Sequence, residues 1–197
     1  MVRMVEQSEQ LVDEILVMDC QSGRGQALDM LVSRWQKRLW HYARRLTGSS
    51  EAAWEVTQES WLGIVRGIRR LNDPARFRAW AYRIVTNKSR DWIRKKSKQA
   101  PADEAFERVS REGALTNETS ADLETILGRL SERNRTVLTL HYLEEIGLAE
   151  IAKILRVPKG TVKSRLHTAR AEFKRLWQAM DDTAQTAMSA SEKGEAR

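Results

Sequence analysis

Across 197 residues there is a single cysteine, there are three prolines, and no run of eighteen apolar residues occurs. Cys20 alone has no intramolecular disulfide partner, which fits a reducing compartment, and its plainest reading is a small, partly buried apolar side chain. Without a long apolar run no membrane-spanning helix is expected. The opening MVRMVEQSEQ is too polar for a signal peptide, so a soluble cytoplasmic protein is the expectation. Also lacking are a Gly-rich phosphate loop, a Cys/His set at metal-ligand spacing and a nucleophile elbow. His41, His141 and His167 lie far apart and have no motif partner. Neither catalysis nor a cofactor is expected. Strand signals fail too: no alternating β-branched run reaches five residues, whereas helical periodicity recurs. The expected fold is all-α, two small helical bundles joined by a flexible linker.

What is present is charge, unevenly placed. The net charge is +7. Residues 66–98 hold twelve Lys or Arg and two acids, and residues 153–177 hold eight bases against Glu172. Residues 1–20 and 99–124 are acidic. Two basic blocks separated by an acidic one point to two nucleic-acid contacts.

The boundaries follow from periodicity and breakers. Residues 1–26 read as an acidic lead-in, with a short helix from Glu9 to Met18 through Leu11, Ile15 and Met18, broken at Gln21–Gly25. Ala27 to Leu46 is an amphipathic helix with a stripe of Leu28, Leu31, Val32, Trp35, Leu39, Tyr42, Ala43 and Leu46. Gly48 caps its end, and Ser49 or Ser50 starts the next helix. That helix, Glu51 to about Leu71, is expected to bury Val56, Trp61, Ile64, Val65 and Ile68. After a loop at Leu71–Arg76, a helix from Phe77 to about Lys96 carries Phe77, Trp80, Ala81, Ile84, Val85 and Trp92 on one side. Arg83, Asn87, Arg90 and Arg94 lie on the other. Most of the seven tryptophans fall on apolar faces and read as core. The basic arc says more: a solvated helix normally intersperses acids, and Asp91 is the only one between Pro74 and Gln99. Such an arc suits a nucleic-acid backbone and unstacked bases.

Residues 99–120 read as an acidic linker, and residues 178–197 as a disordered tail. Between them, residues 121–177 form a second bundle: Leu123, Ile126, Leu127 and Leu130 in one helix, then Ser131 capping another that buries Val137, Leu138 and Tyr142. Its last part, Leu148 to Trp177, reads as two helices about a corner at Arg156–Val157, with Pro158 at the first position of the second. Ile151, Ala152 and Leu155 share a face, as do Val162, Leu166, Ala169, Phe173 and Leu176. The opposite arc carries Gly160, Lys163, Ser164, His167, Ala171 and Lys174. Short, polar and basic side chains there suit a DNA major groove. An ordinary αα-hairpin with a solvated basic face would share the apolar pattern, and the charge favours the helix-turn-helix.

Two blocks also carry a resemblance. EVTQESWLGIVRGIRRL with FRAWAYRIVTNKSRDWIRKK resembles region two of extracytoplasmic-function sigma factors, and LSERNRTVLTLHYLEEIGLAEIAKILRVPKGTVKSRLHTAR resembles their region four. The resemblance spans about residues 27–98 and 121–177. It implies a promoter-specificity subunit of bacterial RNA polymerase. Glu55, Gln58, Glu59 and Leu62 would grip the coiled coil of the β′ subunit, with the β flap as a further contact. The loop with Asn72, Asp73 and Arg76 would capture a flipped minus-ten base, and Arg83, Asn87, Arg90 and Arg94 would hold the non-template strand. Lys163, Ser164, His167 and Thr168 would read the minus-thirty-five element, with Arg165 and Arg170 on phosphates. Core polymerase and promoter DNA are the implied partners, and an anti-sigma factor is one that the family admits. The alternative is a stand-alone dimeric helix-turn-helix regulator.

Overall fold

The computed structural model describes residues 2–99 and 118–195. Among them there is no strand. The N-terminal bundle comprises α1 (Val2–Gln21), α2 (Gly25–Thr47), α3 (Ser50–Gly67) and α4 (Phe77–Gln99), with 3₁₀ turns at Ile68–Arg70 and Pro74–Arg76. The C-terminal bundle comprises α5 (Glu118–Arg129), α6 (Glu132–Leu138), a π turn at Thr139–Leu143, α7 (Leu148–Leu155) and α8 (Lys159–Glu195).

Caps fall where the chemistry places them. Gly48 takes φ 77°, and its N–H donates to the Arg44 carbonyl at 2.8 Å. The Ser49 hydroxyl accepts from the Ala52 N–H at 3.3 Å, and that of Ser131 from the Asn134 N–H at 3.4 Å. Arg156 turns the corner between α7 and α8 with φ 54°. Pro158 precedes α8 rather than opening it, a one-residue difference within the fraying of helix ends.

The N-terminal core is aromatic. Trp35 on α2 meets Phe77 and Tyr82 of α4 edge-on, at centroid distances of 5.3 and 5.9 Å, and Tyr42 meets Tyr82 at 5.0 Å. Aliphatic Leu31, Leu39, Leu46, Val56, Ile64, Ala81 and Val85 surround them. The C-terminal bundle buries Ile126, Leu130, Val137, Leu140, Ile146, Ile151, Ile154, Val162, Leu166 and Ala169, and its apolar cluster is continuous with that of the first bundle.

Four expectations require correction. Residues 1–26 are no mere lead-in, because α1 packs against α2, α4 and both 3₁₀ turns. Its buried face is Asp13, Leu16 and Val17, while Leu11, Ile15 and Met18 point outward. Polar anchors set that rotation: Arg34 holds Asp13 at 3.0 Å, and the Gln21 amide donates to the carbonyls of Ile68 and Leu71 at 2.9 and 2.8 Å. Val65 is exposed rather than buried, because it falls on the outer face of α3 with Gln58 and Leu62, seven and three residues before it. Tyr142 is exposed also, since the π turn adds a residue and rotates it off the core. Residues 178–195 continue α8 instead of being disordered. No Gly or Pro interrupts 178–193, and Ala, Gln, Met and Glu favour helix without an apolar face. The linker expected over 99–120 falls chiefly outside the described residues; Gln99 closes α4 and residues 118–120 open α5.

The aromatic contact and one close helix approach generate a stability test. Truncating Trp35 to alanine should cost about 3–5 kcal/mol. A Cβ at Gly67 would lie 2.8 Å from Trp80 Cζ2, so Gly67→Ala should cost about 1–3 kcal/mol through overpacking. Urea denaturation reads both, and an unchanged midpoint for Gly67→Ala would mean that the α3–α4 approach is looser than described.

Candidate nucleic-acid interface

The apolar stripe of α8 fixes what its other side presents. With Val162, Leu166 and Ala169 buried, Lys163, Ser164, His167, Thr168 and Arg170 are exposed, and Arg165 is half-buried. The hydroxyls of Ser164 and Thr168 donate to the carbonyls of Thr161 and Ser164 at 3.1 and 3.2 Å, so both lie close along the helix surface. Arg170 is held: its Nε donates to the Tyr142 hydroxyl at 2.5 Å, and the guanidinium stands 5.4 Å from that ring. The result is an uncovered basic arc with short polar groups between its cations, the chemistry that reads base edges and phosphates.

A second basic arc lies on α4, and its residues are less free. Asn87 and Arg94 are exposed, with Arg94 paired to Asp91 at 2.9 Å. Arg90 Nε pairs with Glu132 of α6 at 2.9 Å. Arg83 is half-buried; desolvation, then the nearby Arg156 charge, pushes its guanidinium below the ordinary value. In the preceding loop the Asp73 carboxylate accepts from the Ala75 N–H at 3.2 Å and pairs with Arg76 at 2.8 Å. Asp73 thus caps the second 3₁₀ turn, and Asn72 is exposed beside it.

The outer side of α3 forms a third surface. Glu55 accepts from the Trp92 indole N–H at 2.9 Å, and Glu59 from Lys88 at 2.8 Å, so both carboxylates tie α3 to α4. Gln58 and Leu62 are exposed. With Leu62 stand Trp54 and Val65, at exposures of 56, 49 and 46 %. Three large apolar side chains left in water on one helix mark a docking face. Sequence reasoning missed two of them. Val65 looked like core. Trp54 was passed over, although Glu51 and Gln58, three residues before it and four after, mark its side of the helix as the outer one.

Sequence reasoning also missed Glu144, which lies where the bundles meet. α7 packs on α4, and the Glu144 carboxylate, 9 % exposed, accepts from Arg45 Nη1 at 2.9 Å and from the Tyr82 hydroxyl. Its backbone carbonyl accepts from Arg78. Burial pushes this carboxyl above the ordinary value, opposed by the Tyr82 hydrogen bond and the two arginines. Glu124 and Arg44 make a further pair across the bundles at 3.8 Å.

Comparison with known proteins places this geometry. Residues 31–99 match the family Sigma-70 region 2, and residues 120–173 match Sigma-70, region 4. The ECF RNA polymerase sigma-E factor of Escherichia coli K12 is 30% identical over 178 residues, covering 83% of this chain and 93% of that one. Among solved structures, CnrH in complex with the cytosolic domain of CnrY has 28% identity and a TM-score of 0.67, covering 85% of this chain and 98% of CnrH. RpoE of Bartonella quintana, in complex with the anti-sigma factor NepR, is similar in fold, with a TM-score of 0.62 at 19% identity and coverage of 76% and 96%. The chain belongs to the sigma-70 family, in its extracytoplasmic-function group, and is a sigma subunit. Among the described residues no helix is long and apolar enough to cross a membrane.

The Lys88–Glu59 contact generates a titration test. The hydrogen bond from Lys88 holds the Glu59 carboxyl below its ordinary value. Its small stabilisation is present above pH 4.5 and lost as pH falls through the depressed value. Lys88→Met should return Glu59 to the ordinary carboxylate range in an NMR titration. Stability should change by less than about 1 kcal/mol, because the pair is substantially exposed.

Proposed function

We propose that this chain directs core RNA polymerase to promoters by reading DNA at two separated places, in the cytoplasm and without catalysis of its own. α8 reads the minus-thirty-five element through Lys163, Ser164, His167 and Thr168, while Arg165 and Arg170 hold phosphates. The loop with Asn72, Asp73 and Arg76 receives an extruded minus-ten base, and Arg83, Asn87, Arg90 and Arg94 hold the non-template strand. The observation carrying this reading is the occurrence in one chain of an uncovered reading arc on α8 and a basic arc on α4. A stand-alone dimeric regulator needs only the first.

The division of labour has a physical basis. Opening DNA costs about 1.4 kcal/mol per stacked step, and pocketing an extruded base offsets part of it. Phosphate contacts add affinity without sequence preference. Two linked modules cooperate only when their separation is fixed, and polymerase supplies that frame. Glu55, Gln58, Glu59 and Leu62, joined by Trp54 and Val65, form the face for the β′ coiled coil; the C-terminal bundle meets the β flap. An anti-sigma factor is a further partner, as one is of the Bartonella RpoE.

Two sets of substitutions test the assignment in transcription reconstituted with core polymerase. Lys163→Ala with Ser164→Ala should weaken initiation at promoters that depend on the upstream element by about tenfold or more, since each good base contact discriminates by about 1–3 kcal/mol. Core binding should be unchanged. Trp54→Ala with Leu62→Ala should do the reverse, weakening core binding while leaving urea stability near that of the parent. A chain that binds duplex DNA tightly and neither binds core nor directs initiation would be a stand-alone regulator instead.

A further inference from the structure

The loop assigned to an extruded base is held from α1. After the 3₁₀ turn at Ile68–Arg70 the backbone goes extended at Leu71, with φ −76° and ψ 102°. That takes the Leu71 carbonyl out of the turn, so its donor has to come from elsewhere. It comes from Gln21, the last residue of α1. The two hydrogens of its one amide nitrogen reach the carbonyl of Leu71 at 2.8 Å and that of Ile68 at 2.9 Å. The Ile68 carbonyl also closes the turn, accepting from the Leu71 N–H at 3.1 Å. One side chain thus pins both the turn and the first residue of the loop. Side chains at a helix end commonly satisfy that helix's own last carbonyls; this one crosses 47 and 50 positions instead. The second 3₁₀ turn, Pro74–Arg76, packs on α1 as well. Asn72 is exposed between the two supports.

We propose that Gln21 is the positioning residue of the base-receiving loop, placing Asn72 and Asp73 so that one extruded base is preferred over the others. This rests on the reading of Leu71–Arg76 as that loop. Bases are told apart by hydrogen bonds that weaken steeply as their angle departs from linear. The groups that make them have to be held to within about 0.5 Å by a supporting shell. Asp73 is braced inside the loop, by the Ala75 N–H and by Arg76. The hold on Asn72 is inherited from its neighbour Leu71, and through Leu71 from Gln21. α1 therefore acts on base choice from outside the loop, and Gln21 need touch no DNA to do so.

The full chain provides the test, alone and assembled with core polymerase. Gln21→Met keeps the side-chain length and removes both donors. In the free chain it should speed hydrogen exchange at the Leu71, Ala75 and Arg76 amides severalfold, read by NMR. With polymerase, the DNA is a fork whose single-stranded minus-ten segment carries each base in turn at each position. The fluorescence of 2-aminopurine reports which base is extruded. The affinity ratio between best and worst base there should fall about tenfold, the scale of losing one or two hydrogen bonds. Core binding should match the parent. Gln21→Lys returns a donor within reach of the same carbonyls and should restore the preference. Arg34→Met frees α1 at its Asp13 anchor without touching the loop, so it should lower the urea midpoint and leave base preference intact. If Gln21→Met fails to fold, Gln21→Asn, whose amide falls one methylene short, decides. Unchanged exchange or an unchanged preference would overturn the positioning role, and so would an equal loss of preference in Arg34→Met. A parent that extrudes no base in this segment would overturn the reading of the loop, and the proposal with it.

Discussion

Everything about the N-terminal surface depends on the edge-to-face contacts among Trp35, Tyr42, Phe77 and Tyr82. These rings fix α4 in rotation about its own axis. Once Phe77, Ala81 and Val85 face α2, the arc of Arg83, Asn87, Arg90 and Arg94 is determined by helical spacing. Tyr82 extends the constraint outward: its ring lies in the core while its hydroxyl reaches Glu144. One side chain thus connects the packing of the first bundle with the seating of the second. Desolvation holds the phenols of Tyr42 and Tyr82 protonated far above neutrality, so both act as steady hydrogen-bonding groups.

The basic helices do different physical work for the same reason that they sit in different surroundings. α8 presents its arc without cover, which on the proposed reading lets it search duplex DNA at once. α4 presents an arc two of whose four members are already engaged, Arg90 by Glu132 and Arg94 by Asp91. Binding there exchanges one set of ion pairs for another, and such exchanges are nearly balanced, so a fixed frame can tip them. That is a reason for a promoter reader to be a subunit rather than a free protein.

Much of this was legible in the sequence because it is local. The stripe of α2, the caps at Gly48, Ser49 and Ser131, and the corner at Arg156 follow from spacing and turn chemistry within a few residues. What escaped depends on distant partners. The rotation of α1 is set by Arg34 and by carbonyls at Ile68 and Leu71, some fifty residues along the chain in the last case. Glu144 escaped because its partners lie 99, 66 and 62 positions away. Val65 was assigned to the core since an apolar residue at helical spacing is usually buried; its place on the face of Trp54, Gln58 and Leu62 is what puts it outside. The tail escaped for another reason: helix propensity without an apolar face reads as disorder.

The most direct test of the central claim is a permanganate footprint of open thymines on promoter DNA with core polymerase and this chain. The two-place reading predicts a melted stretch that appears only when both proteins are present and stays at a fixed distance from the upstream element read by α8. Melting by core polymerase alone at the same bases, or an open stretch whose position ignores the upstream element, would contradict it.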